Sequence, residues 1–163
     1  MEAGAKLALL VAVIAWFHIL FAISWVGSAV FFAAVLSPML AALTPQARSE
    51  FLVKSLPKIE RFELAVSTLT IVFGLFLALA LKEWSPFIIF GATFGLTAYL
   101  IGLLVMTPLA KKMESILKIL QNDPDDGLLK ELVGVQKKFG MASMIELIMM
   151  LLTVSSMVAA GFL

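Results

Sequence analysis

Residues 7–38 run without a single Asp, Glu, Lys or Arg. As one α-helix they would rise about 48 Å, well beyond the ~30 Å hydrocarbon core of a bilayer. A soluble core of this size could not cover such a rod on every side. Three more apolar stretches follow at residues 62–81, 86–110 and 139–163, each meeting the roughly 20 residues that a membrane span requires. With 62% hydrophobic and 14% charged residues in 163, the composition points the same way. The sequence therefore predicts an all-α membrane protein, a four-transmembrane-helix bundle forming one integral domain over residues 1–163. The first span is longer than the membrane is thick, so it tilts or protrudes. The opening MEAGAK lacks the basic region of a cleavable leader, and the first span is read as retained.

The charges are segregated. The connections at residues 44–61 and 111–138 hold ten of the twelve Lys and Arg residues, against Lys6 and Lys82 elsewhere. By the positive-inside rule this places both connections in the cytoplasm and both termini outside, in a multi-pass protein of the plasma (inner) membrane. Both connections read as short amphipathic cytoplasmic helices broken by Pro, Asp and Gly, suited to anionic lipid or a protein partner. The lipid bilayer is the first partner, and nothing marks a nucleic-acid partner. A repeat is visible: VLSPMLAAL (residues 35–43) parallels VMTPLAKKM (residues 105–113). That repeat makes the chain readable as two helical hairpins; proline ending an apolar run is the alternative explanation.

Polar groups inside the spans are few. His18, the sole histidine, lies 12 residues beyond Lys6, and Glu146, the sole acid well inside a span, lies seven beyond Phe139. Tyr99 and the hydroxyls of Ser67, Thr68 and Thr70 fall at a similar depth in this topology. A charged carboxylate there costs about 2.5–3.5 kcal/mol on insertion scales, so Glu146 is expected to face the interior, neutral or paired. His18 is its natural partner; a backbone carbonyl is the plainer partner for that imidazole. Glu60 and Glu63 are expected at the start of the second span, pairing with Lys58 or Arg61. On the first helix, His18, Ala22, Trp25, Ser28 and Ala29 share a face. Met106, Met144 and Met149 are candidate thioether ligands for Cu(I), although methionine more commonly fills gaps.

The run HILFAISWVGSAVFFAAVLSP, with six residues between His18 and Trp25, then Gly27 and Pro38, resembles the first helix of the copper-resistance D family of membrane proteins. RFELAVSTLTIVFGLFLAL resembles that family's second segment through Arg61, Phe62 and Gly74. The same His-to-Trp spacing recurs in the membrane-bound protoporphyrinogen oxidases of bacteria, which are haem-associated four-helix proteins. Their Leu-Pro-Arg after the tryptophan is here VGSAVFF, and their lysine in the third helix is absent. The resemblance covers the first half of the chain. It implies His18 as a ligand to haem b or copper, with Trp25 and Gly27 as its structural companions.

Three functions follow as expectations. The first is haem or copper handling at His18, with Glu146 or Tyr99 completing the site. One histidine cannot ligate haem on both faces, so a methionine, a glutamate, an open position or a second copy in a homo-oligomer would be needed. The second is a proton-coupled transporter or channel for a small solute or ion, using the His18, Glu146 and Tyr99 layer. The third is an accessory subunit without chemistry of its own. Zero cysteines exclude disulfides and thiolate metal sites, and no phosphate loop or hydrolase motif is present.

Overall fold

The computed structural model describes residues 2–82, 84–123 and 125–162. All regular structure among them is helical, arranged as four long rods. The first is α1 (Glu2–Phe31), a π-helical turn (Phe32–Leu36) and α2 (Ser37–Ala42), end to end. The second is α3 (Pro45–Leu81). The third is α4 (Pro86–Ile101), a second π-helical turn (Gly102–Met106) and α5 (Thr107–Leu120), and the fourth is α6 (Asp126–Ala160). All four are long and apolar enough to cross a membrane.

The rod ends follow local chemistry. Thr44 and Ser85 cap α3 and α4 by accepting the Ala47 and Ile88 amides at 3.3 Å, each just before a proline at the first helical position. Asp125 caps α6 through the Leu128 amide at 2.7 Å. Arg48 closes the far end of α2, donating to the Leu40, Ala41 and Leu43 carbonyls at 2.7, 3.0 and 3.2 Å.

The two basic connections are not separate short helices. Residues 45–61 continue unbroken into the second span as α3, with Pro57 inside it; α5 continues the third span, and residues 126–138 run into the fourth as α6. Proline in a helix interior removes one hydrogen bond. Here tertiary packing outweighs that loss, because Leu52 and Leu56 join Ala110, Met113, Ile116, Leu117, Leu132 and Val135 in a buried core at the basic end. A second core, Trp25, Val66, Ala98 and Met150, lies between the spans.

The rods pair as two hairpins, α1 against α3 and α4 against α6, and the hairpins join mainly through α5 at the basic end. The α4–α6 seam is antiparallel and in constant register. Gly91 faces Met157, Gly95 faces Thr153 and Gly102 faces Glu146, so each step along one helix is matched by a step back along the other. Glycine permits this close approach; a methyl group on Gly91 or Gly95 would lie 3.0 or 3.3 Å from its partner. The α1–α3 seam is held by stacked Phe17, Phe21 and Phe73, with ring centroids 5.2–6.0 Å apart.

The sequence repeat falls on the two π turns. The Ser37 amide donates to the Phe32 carbonyl and the Thr107 amide to the Gly102 carbonyl, in each case with proline as the next residue. A proline has no amide to offer the preceding turn, and a five-residue hydrogen-bonded ring is one way the helix absorbs that. The same device thus recurs once in each hairpin.

Candidate functional site: an acidic cavity between the hairpins

Where the second core meets the basic-end core, a cavity of about 90 Å³ opens, several times the space that one water needs. Its carboxylates are Glu60 and Glu63 from α3 and Glu146 from α6. Its hydroxyls are Ser67, Tyr99, Thr107 and Ser143, its aromatic walls Trp25, Phe32, Tyr99 and Phe139, and among the described residues no Lys, Arg or His lines it. An open-sided groove of about 330 Å³ adjoins it, sharing Phe32, Leu56, Phe139 and Ser143 and running towards Arg48 and Gln136.

Glu146 is 9% exposed. Among the described residues it has neither an ion-pair nor a hydrogen-bond partner, and its Oε1 reaches the backbone where the second π turn begins, 3.0 Å from where a methyl on Gly102 would sit. Glu63 is half-buried across the cavity from it. The Ser28 hydroxyl, which donates to the Trp25 carbonyl at 2.8 Å, sits beside the Glu63 carboxylate. The Tyr99 and Thr68 hydroxyls share a 3.3 Å hydrogen bond that ties α4 to α3.

Of the residues singled out from sequence, the cavity brings together Trp25, Ser67, Tyr99, Met106 and Glu146. His18 is not among its walls. Its Nδ1–H donates to the Thr70 carbonyl at 2.9 Å and its ring lies against Gly74, where a methyl would come within 2.8 Å of Cε1. Thr70 is seven residues along α3 from Glu63, about 10 Å, so the imidazole sits in the α1–α3 seam and the carboxylate pair a turn or two away. Thr70 itself turns its hydroxyl to the Val66 carbonyl at 2.7 Å. Met144 points outward at 57% exposure, and Met149 packs on the Trp25 core.

The donors that haem b or copper would need are therefore scattered. No group of three or more His, Asp or Glu side chains among the described residues is placed to hold a metal ion. His18, Met106, Met144 and Met149 face four different surroundings, and the residues present do not fit either group.

Glu60 and Glu63 enter the site unforeseen. The expected pairing with Lys58 or Arg61 is not among the ion pairs of the described residues, which are Lys6–Glu2, Lys112–Glu131 and Lys118–Glu114. The signal was present in the spacing: positions 56, 60, 63, 67, 70 and 74 alternate by four and three, which is one helix face. A search of protein-family models, curated proteins and solved structures returns no match to this chain, so its chemistry is read from these residues.

Proposed function

We propose that the chain is a multi-pass membrane protein whose activity resides in this cavity, as a proton-coupled transporter or channel for a small solute or ion. The observation that supports it is Glu146, nine-tenths buried and, among the described residues, without a partner, facing a cavity with room for several waters that holds two further carboxylates and no described basic group. An intramembrane acid of this kind is expensive unless a proton or another cation offsets its charge. Carboxylates that exchange one for the other are the simplest coupling element. The titratable groups facing the cavity are Glu60 and Glu63 from α3, Tyr99 from α4 and Glu146 from α6; α1 and α5 supply none. The cavity sits between two hairpins that carry the same π-turn device, the position at which transporters built from repeats place their sites.

The test is proton flux into liposomes reconstituted with purified protein, driven by an imposed potential and read with a trapped pH dye. Flux is expected in the native protein and reduced to the protein-free leak in Glu146→Gln, which keeps the side chain's shape but cannot exchange a proton. Flux unaffected by that substitution overturns the reading.

The topology proposed with it puts the basic end in the cytoplasm and the turn between the second and third rods outside. The chain has no native cysteine, so single cysteines report sidedness directly. In intact cells Trp84→Cys is expected to react with a membrane-impermeant maleimide and Lys54→Cys only after lysis. The reverse pattern would invert the topology.

A further inference from the structure

The structure assigns to this cavity a ligand class narrower than protons alone: we infer that it binds a monovalent organic cation with an apolar body, a quaternary or protonated amine. This rests on the cavity being the working site proposed above, and it adds what that site recognises.

Two independent features converge. One is charge: Glu146, 9% exposed and unpartnered among the described residues, points into a space that also receives Glu60 and Glu63 and no basic side chain. A buried carboxylate without a counter-charge is incomplete, and a cationic occupant completes it. The other is the wall. Trp25, Phe32, Tyr99 and Phe139 contribute four aromatic rings to one chamber, an indole, a phenol and two phenyls, and aromatic faces attract cations that have shed their water. A small inorganic cation is served poorly here. It would want several oxygens at ligand distance, and no metal-holding group of His, Asp or Glu exists among the described residues. An alkylammonium ion asks for less, because it is weakly hydrated, takes its counter-charge from one carboxylate and buries its methylenes against rings and aliphatic side chains such as Leu64, Leu103 and Met106.

Access follows the same chemistry. The open-sided groove that shares Phe32, Leu56, Phe139 and Ser143 with the cavity is mostly apolar, with Arg48 and Gln136 at its far side. A cation with an apolar body can move along such a wall, whereas a strongly hydrated ion would have to be stripped on entry. Proton and organic cation then compete for the same carboxylates, so binding tightens as pH rises through the range where those groups ionise.

The test uses Trp25 as reporter. Trp16 and Trp84 are 59% and 56% exposed, against 4% for Trp25, so a Trp16→Phe/Trp84→Phe protein in lipid nanodiscs carries its only indole in the cavity wall. Tetraethylammonium chloride is titrated against sodium chloride at matched ionic strength. The expected result is a saturable change in emission with tetraethylammonium and none with sodium, kept in Glu146→Asp and weakened by at least about tenfold in Glu146→Gln. No saturable response, an equal response to sodium, or a response untouched by Glu146→Gln overturns the inference. Glu146-dependent proton flux without tetraethylammonium binding would sink the organic-cation assignment and leave the proton reading standing. Binding without Glu146-dependent flux would sink transport and leave a cation site.

Discussion

Trp25→Ala is expected to lower the unfolding free energy by about 3 kcal/mol, the low end of the range for deleting a buried tryptophan. Trp25 is 4% exposed and packs with Val66, Ala98 and Met150 at the place where α1, α3, α4 and α6 come together. In a bilayer the hydrophobic part of that loss is reduced, because separated helices still sit in hydrocarbon. What remains is dispersion: an indole in full contact is replaced by a methyl group, and a void too tightly framed to collapse loses those contacts outright. Trp84→Ala supplies the comparison. At 56% exposure it should cost within about 0.5 kcal/mol. Reversible unfolding in mixed micelles, titrated with dodecyl sulfate, measures both; equal costs would show that the inter-span core does not hold the bundle together.

Gly102→Val is expected to cost about 1–3 kcal/mol by overpacking, and to bring proton flux down to the level of Glu146→Gln. Its first added carbon would lie 3.0 Å from Glu146 Oε1, and the two further methyls have the carboxylate or the cavity to fill. The carboxylate must withdraw, and the site loses the group proposed to bind. A shorter acid should make room again. Glu146→Asp combined with Gly102→Ala is expected to be less damaged than the two single substitutions added together, because the pair is in direct contact. Additivity in both unfolding and flux would place Glu146 elsewhere than against the π turn.

Much of the architecture could be read in advance, because the physics that sets it is local. Four apolar runs longer than any soluble helix needs predict four rods, and the Ser85-Pro86 pair predicts the start of the third to the residue. The ends nearer the charges were hidden. Pro57 reads as a break only until Leu52 and Leu56 are known to share a core with α5 and α6, contacts that lie far away in sequence. That single misplacement carried through to the site. With the second helix started at residue 62, Glu63 looks like a first-turn residue at the membrane surface; with α3 starting at Pro45, it is an interior residue facing Glu146. Counting residues gives depth but not direction around an axis. His18 and Glu146 could thus be assigned a shared layer, while the contact with Gly74 that turns the imidazole into the α1–α3 seam was invisible.

The two π turns set the phase of the rods they interrupt. From Phe32 at the cavity to Leu40 beside the basic-end core is eight residues, and from Gly102 to Ala110 it is eight again. In an uninterrupted α-helix eight residues overshoot two turns by about 80°, which would swing Leu40 and Ala110 off the faces that Phe32 and Gly102 define. The wider turn takes up that excess, so one continuous rod can keep its inner side towards two successive interiors. Each acts as a vernier between an upper and a lower bundle, and shortening either by one residue would leave the two halves individually sound but facing different ways.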